Sequence, residues 1–155
     1  MIKVVFAALA VCFSSLAPAA EPAEYLDIEG AWVRALPPFQ PNTAAYFTLV
    51  NRGEAAIAVV GASADVADKV EIHTSREVDG LMRMEQLQGL AVAPGEEVKL
   101  SPGGTHLMLL GLKYMPAPGD EVRLCLLLGS GEEVCTAADV VRDGGSSGGQ
   151  NHQHH

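Results

Sequence analysis

The chain is organised as short runs of strand-forming residues, which are separated throughout residues 25–142 by Gly, Pro, Asn and Asp. Short runs between turn residues indicate β-strands, and no sustained helical period interrupts them. The predicted strands lie near residue 32 and at residues 44–50, 56–62, 69–74, 81–87, 97–100, 106–112, 121–128 and 133–141. One short helical turn is expected around residues 63–68. The even spacing of the strands predicts an all-β fold, a two-sheet β-sandwich with Greek-key connections.

The N-terminal segment, residues 1–20, has the composition of a targeting sequence and not of a strand-rich domain. Lys3 precedes an apolar run, and the small residues of positions 17–20 follow it. This layout predicts a secretory signal peptide over residues 1–20, so we expect an exported protein in an oxidising compartment. The apolar run is too short to hold the mature protein in a membrane. Cys12 is a poor lipidation site, because the bulky Val11 precedes it.

The C-terminal segment, residues 143–155, is a Gly- and Ser-rich linker that ends in a His-rich tract. Such a composition cannot bury a core, so the folded domain is expected at residues 22–142. Short His-rich tracts can bind metal ions, so His152, His154 and His155 are candidate metal ligands. The alternative is a solvated tail that holds no metal.

The charge balance excludes several classes of function. The chain has 10 Lys and Arg against 19 Asp and Glu, a net charge of -9, and only 1 Trp, 3 Tyr and 4 Phe. Nucleic acids and anionic membranes attract basic surfaces, and base stacking needs aromatic side chains. The sequence also lacks a nucleophile-elbow motif and a recognisable acid and base pair, so an enzyme is not expected. We expect a monomer that binds neither nucleic acid nor membrane.

Two cysteines, Cys125 and Cys135, lie in consecutive predicted strands. If residues 129–131 form a three-residue hairpin loop, Cys125 faces Cys135 across the hairpin. In an exported protein such a pair predicts a disulfide bond. The alternative is a thiol pair for redox chemistry or metal capture, which neither a neighbouring His nor a Cys-x-x-Cys spacing supports.

Two imidazoles and two thioethers form a further pattern in the chain. These residues are His73, Met84, His106 and Met108. If Asp79-Gly80 is a two-residue hairpin turn, Met84 lies diagonally from His73 on the same face of the hairpin. His106 and Met108 are two residues apart in one strand and therefore also share a face. The sequence thus predicts two pairs that could converge in a four-ligand pocket.

The chemistry of this residue set favours copper. Thioether sulfur is a soft, neutral ligand, and its combination with imidazole favours Cu(I) over Mg²⁺, Ca²⁺ and Zn²⁺. The alternative is a metal-free exported β-sandwich that acts as a binding module, in which the methionines pack in a core and the histidines are structural. A blue-copper electron carrier needs a Cys thiolate with His and Met close behind it, and neither Cys125 nor Cys135 has them.

The sequence resembles the PCuAC-type periplasmic copper chaperones. The resemblance rests on the spacing His73-x10-Met84-x21-His106-x-Met108. The flanking segments at residues 31–34, 80–84, 102–104 and 106–112 are similar too, and the match extends over most of residues 30–140. A set of four residues at fixed gaps is more specific than a single short motif.

This resemblance implies a cupredoxin-like β-sandwich that binds one Cu(I) near its surface through His73, Met84, His106 and Met108. It also implies delivery of copper to the dinuclear copper centre of cytochrome c oxidase, alongside Sco-type thiol proteins. The chain departs from the family pattern at Thr74, where some members have an additional Met, and in its cysteine pair. The His-rich tail resembles extensions in which a second, divalent copper site is expected.

Overall fold

The structure is a computed structural model that describes residues 22–142. The predicted signal peptide, residues 1–20, and the His-rich tail, residues 143–155, lie outside the described residues. Within the described range, no helix is long and apolar enough to cross a membrane. The elements are the 3-10 turn Pro22–Tyr25 and strands β1 Leu26–Arg34, β2 Thr43–Asn51, β3 Ile57–Ala64, β4 Ala67–Val78, β5 Leu81–Leu87, β6 Leu90–Val92, β7 Glu97–Leu100, β8 Thr105–Leu112, β9 Glu121–Leu128 and β10 Glu133–Val141.

The strands form one continuous sheet that folds over and closes on itself. Its order is β5-β4-β8-β2-β1-β10-β9-β3-β6, and β7 pairs with β2. A further pairing, at Ala62 opposite Val70, joins β3 back to β4. β1 and β10 run parallel, whereas the pairs on either side of them are antiparallel. The prediction of an all-β sandwich is confirmed.

The core lies inside the closed sheet, because alternate residues of each strand point inward. The largest fully buried side chains are Leu49, Leu107, Leu109, Leu124, Leu126, Leu128, Val33, Val59, Val66, Val92, Val122 and Val140. Burial of one such side chain stabilises the fold by about 1.5–3 kcal/mol relative to exposure. Since the inner face of each strand supplies the core, the outer face is free to carry polar and sulfur-containing side chains.

Three elements differ from the sequence prediction. The helical turn expected at residues 63–68 is wrong, because β3 and β4 are joined only by Asp65 and Val66. Val66 is 2% exposed, so the connection turns this side chain into the core. β1 is longer than predicted, and its register with β2 shifts between Glu29 and Trp32. β6 is a strand of three residues that the sequence did not indicate.

The hairpin of β9 and β10, here called the disulfide hairpin, has the predicted register. Cys125 pairs directly with Cys135, and the two form a disulfide bond. The Leu128 amide donates to the Glu132 carbonyl at 2.9 Å, which closes the loop between the strands. Gly131 in this loop has φ +93, a conformation that a glycine adopts without strain.

Candidate metal centre

The hairpin of β4 and β5, here called the ligand hairpin, has the predicted two-residue turn. Asp79 and Gly80 have φ values of 54° and 78°, as a type I′ turn requires at both central positions. The register pairs Val78 with Leu81, His73 with Gln86 and Ser75 with Met84. Met84 therefore lies diagonally from His73 on the same face of the hairpin, as predicted.

The pairing of β4 with β8 brings the second pair of residues to this face. His73 lies directly opposite His106, and Glu71 lies opposite Met108. His73, Met84, His106 and Met108 consequently share the outer face of three adjacent strands, in the order β5-β4-β8. The intervening residues Ile72 and Leu107 point inward and are 4% and 1% exposed. The alternation of each strand thus separates the candidate ligands from the core.

The spacing of the two imidazole rings is compatible with one shared ion. Their centroids are 6.0 Å apart. A metal–nitrogen bond is about 2 Å long and a ring nitrogen lies about 1 Å from its centroid, so an ion bound to both rings keeps the centroids within about 6 Å. No group of three or more His, Cys, Asp or Glu within residues 22–142 could hold a metal ion. The thioethers of Met84 and Met108 lie on the same face as the imidazoles and are the further candidate ligands there.

The four candidate ligands differ in exposure. His106 is buried, with 5% of its surface exposed, and Met84 is 53% exposed. His73 and Met108 are partly buried. The face is therefore closed on the β8 side and open to solvent on the β5 side, at the edge of the sheet path.

The far end of the ligand hairpin extends past its neighbour. The ladder between β4 and β8 ends at Thr74 opposite Thr105, whereas β4 pairs with β5 as far as Val78. Residues 76–83 therefore form a two-stranded ribbon, and Met84 lies at its base. Arg76 and Glu85 make a 2.6 Å ion pair across the ligand hairpin, but both side chains are largely exposed. Water screens such a pair, which contributes little to stability.

Hydrogen bonds fix the two histidines in different ways. The Nδ1 atom of His106 lies 2.9 Å from the Gly104 carbonyl oxygen, which can only accept. The Nε2 atom of His73 lies 2.7 Å from the Glu71 carboxylate. The Nδ1 atom of His73 is buried and has no hydrogen-bond partner. Each ring thus keeps one nitrogen free of protein hydrogen bonds.

Glu71 is a neighbour of this face that the sequence analysis missed. Its side chain is 12% exposed and also pairs with the Lys69 ammonium at 2.5 Å. Hydrogen bonds from Lys69 and then from His73 hold the pKa of the Glu71 carboxyl below its usual value. The sequence could have indicated this neighbour, because residues 71 and 73 are two apart in one strand and must share a face.

An aromatic cluster borders the candidate ligands on β2 and β1. Tyr46 stacks on Trp32 with centroids 4.4 Å apart and lies 6.2 Å from the His106 ring. The Arg34 guanidinium lies over both aromatic rings, 5.4 Å from the centroid of Tyr46 and 5.9 Å from that of Trp32. Burial raises the pKa of the Tyr46 phenol, and the positive charge of Arg34 opposes this shift. This cluster covers the side of His106 that faces away from His73.

The chain is similar in sequence and in fold to several known proteins. Residues 26–140 match the family described as "Putative lipoprotein LpqE-like". The "Putative lipoprotein Lxx21020" of Leifsonia xyli subsp. xyli is 29% identical over 119 residues, which cover 76% of this chain and 70% of that protein. The solution structure of Cu(I)-bound DR1885 from Deinococcus radiodurans is 32% identical, with a TM-score of 0.63, and the match covers 78% of this chain and 83% of that one.

A further solved structure, the apo PCuAC domain from PmoF1, has the same fold. It is 22% identical, with a TM-score of 0.64, and the match covers 77% of this chain and 95% of that one. The family match spans most of the described residues, and the resemblance to PCuAC-type proteins and the predicted cupredoxin-like sandwich are confirmed. The chain belongs to the LpqE-like family and has the cupredoxin-like β-sandwich of a PCuAC-type domain.

Proposed function

We propose that this protein is an exported copper chaperone that binds one Cu(I) through His73, Met84, His106 and Met108 and passes it to an acceptor protein. The observation that carries the proposal is the register, in which two imidazoles and two thioethers share one outer face. The Cu(I) form of the DR1885 relative supports copper as the cargo.

The chemistry of the donor set supports Cu(I) as the oxidation state. The two thioethers and the two imidazoles are neutral and do not compensate the positive charge of a bound ion. A divalent ion would leave more charge uncompensated, so the set favours a monovalent ion. Soft sulfur ligands select Cu(I), whereas oxygen ligands suit harder ions. Glu71, the carboxylate beside the site, is already engaged by Lys69 and His73.

The unequal exposure of the ligands supports a role in transfer. A chaperone must hold copper firmly and still allow an acceptor to replace its ligands one at a time. Met84 is half exposed at the sheet edge, whereas His106 is buried. We expect an acceptor sulfur to replace Met84 first. The proposed acceptor is a cytochrome c oxidase subunit with a dinuclear copper centre or a Sco-type thiol protein.

Competition with a chromophoric Cu(I) chelator tests the site. Met84→Leu and Met108→Leu should each weaken Cu(I) binding more than about 10-fold, because even the loss of an outer hydrogen-bond partner costs 10- to 100-fold at metal sites. Met82→Leu is the matched control, since Met82 lies on the same strand and face and is also largely exposed. Met82→Leu should bind Cu(I) as the unaltered chain does.

X-ray absorption of the Cu(I)-loaded protein gives an independent measurement. The copper shell should contain both nitrogen and sulfur, and its sulfur contribution should fall in the Met84→Leu and Met108→Leu variants. Unchanged affinity and an unchanged shell in both variants would mean that copper is held by other ligands, and a lack of Cu(I) binding by the unaltered chain would favour the metal-free binding module.

Transfer itself is tested by mixing the Cu(I)-loaded chain with a soluble oxidase copper domain or a Sco-type protein. Copper should move to the acceptor, and the Met84 methyl resonance should be the first of the four ligands to return to its apo position. If an acceptor that binds Cu(I) more tightly left the metal on this chain, delivery would be excluded for that acceptor.

The C-terminal tail is proposed to hold a separate Cu(II) site through His152, His154 and His155. Truncation after residue 143 should abolish Cu(II) uptake and leave Cu(I) uptake intact, because imidazole alone suits the divalent ion. Loss of both activities together would contradict two independent sites.

Export to the periplasm is tested by the presence of the protein in the periplasmic fraction of its native host and by the mass of the recovered protein. The mature chain should begin near Ala20 or Glu21, after removal of the predicted signal peptide. A lipid-modified chain that begins at Cys12 would contradict this cleavage and indicate a membrane-attached protein.

A further inference from the structure

The two histidines of the proposed copper site have different nitrogens engaged by the protein. In His106 the engaged atom is Nδ1, which faces the Gly104 carbonyl. In His73 it is Nε2, which faces the Glu71 carboxylate. The remaining Nδ1 of His73 is buried and unpaired, although its ring is held by the contact with Glu71.

The partners determine where the ring protons lie. A carbonyl oxygen and an ionised carboxylate can only accept hydrogen bonds, so the facing ring nitrogen must carry the proton and donate it. A neutral imidazole then has its lone pair on the other nitrogen, which is the atom that can bind a metal. The lone pair lies on Nε2 in His106 and on Nδ1 in His73.

Glu71 is suited to hold His73 and not to bind the ion itself. One of its oxygens accepts from Lys69 at 2.5 Å, and the other accepts from His73 at 2.7 Å. Its side chain is only 12% exposed, and in the ladder it lies opposite Met108. Both oxygens are therefore engaged within the site, so the ring of His73 is fixed from the side of Nε2.

The geometry points to Glu71 as a positioning residue that fixes the Nε2–H form of His73, so that His73 binds Cu(I) through Nδ1 while His106 binds it through Nε2. This inference rests on the proposed function of the same site. Carboxylates that receive the second N–H of a metal-bound histidine commonly orient the ring and raise its basicity.

Long-range proton–nitrogen NMR spectra of the ¹⁵N-labelled mature chain test the inference directly. The spectra are recorded without metal and with one equivalent of Cu(I), which is diamagnetic, and the rings are assigned with His73→Gln and His106→Gln. On Cu(I) loading, the Nδ1 resonance of His73 and the Nε2 resonance of His106 should shift. The Nε2 proton of His73 should be present in both states.

Variants of Glu71 give a second readout. Glu71→Ala should weaken Cu(I) binding about 10-fold or more and allow His73 to populate both neutral forms in the apo spectrum. Glu71→Gln should retain most of the affinity, because the amide oxygen still accepts from Nε2. Glu77→Ala is the control, since Glu77 lies on the same strand and face, opposite Met82, and should bind Cu(I) as the unaltered chain does.

The possible outcomes separate this inference from the proposed function. If both histidines respond to Cu(I) but His73 does so through Nε2, the role of Glu71 is wrong and the copper site stands. Equal affinities of Glu71→Ala and Glu77→Ala would also overturn it. If neither histidine responds, both proposals fail. The spectra of the unaltered chain decide the question even if a Glu71 variant does not fold.

Discussion

The ligand hairpin and the disulfide hairpin share one plan but are held in different ways. Each has two antiparallel strands and a tight turn that contains a glycine with positive φ. Both strands of the disulfide hairpin have a second neighbour, and a disulfide bond joins them. In the ligand hairpin, β4 is the one partner of β5 among residues 22–142, and all residues of β5 except Leu87 are exposed.

This difference shows that, in one small sandwich, one hairpin can stabilise the fold while another keeps a candidate metal ligand exposed to solvent. β9 contributes Val122, Leu124, Leu126 and Leu128 to the core, so the disulfide hairpin is part of what holds the fold together. β5 contributes little to the core and carries Met84 at the edge of the sheet. Under the proposed function, changes in the disulfide hairpin should affect stability, and changes in the ligand hairpin should affect copper affinity.

The largest expected effect comes from removal of the disulfide. Cys125→Ala and Cys135→Ala together should lower the free energy of unfolding by about 3 kcal/mol, because the unfolded chain gains the freedom that the cross-link removes. Urea unfolding under non-reducing conditions measures this change. Cu(I) affinity, measured by chelator competition, should stay the same. A fall in Cu(I) affinity would show that the two hairpins are coupled.

A smaller effect is expected from alanine at the two turn glycines. Gly80 has φ +78 and Gly131 has φ +93, and a Cβ at either position would contact nothing within 4 Å. Each substitution should therefore cost about 1 kcal/mol through the left-handed backbone alone.

Gly80 and Gly131 each lie in the turn of one hairpin, so the two substitutions form a matched pair. Gly80→Ala distorts the turn that sets Met84 relative to His73, so it should also weaken Cu(I) binding. Gly131→Ala should destabilise the protein to a similar extent without any change in affinity. Equal losses of Cu(I) affinity in both variants would mean that affinity follows global stability and not the local geometry of the ligand hairpin.

The smallest effect concerns the aromatic cluster beside His106. Burial raises the pKa of Tyr46 above its usual value of 10.0, and the positive charge of Arg34 opposes the shift. Arg34→Gln should therefore raise the pKa of Tyr46 further, as followed by ultraviolet titration of tyrosinate, with Tyr46→Phe to identify the signal. A lower pKa in Arg34→Gln would show that Arg34 acts mainly by keeping the ring buried.

Turn chemistry made the two hairpins predictable from the sequence. Asp79-Gly80 and the loop at residues 129–131 each fix a short loop length, and loop length sets the register of the strands on both sides. The pairing of Ser75 with Met84 and that of Cys125 with Cys135 follow from this rule. The register within one hairpin can therefore be predicted from the sequence of its turn.

Contacts between distant strands were not predictable in the same way. Three strands separate β4 from β8 along the chain, so no turn determines that His73 lies opposite His106. The helical turn at residues 63–68 failed because burial of Val66 outweighed local propensity. β6 is too short to produce a pattern, and the contact of Glu71 with His73 depends on side-chain orientation as well as on spacing.

Under the proposed function, the ribbon formed by residues 76–83 would affect the rate of copper release. Isolated two-stranded hairpins are marginally stable in water, and exposed backbone hydrogen bonds open at a lower free-energy cost than those of a core. Fraying that extends through the ribbon to its base would withdraw Met84 while β8 keeps His106 and Met108 in place. The release rate would then follow the fraying of this hairpin, on a timescale faster than global unfolding, and amide exchange should be faster in the ribbon than in β8.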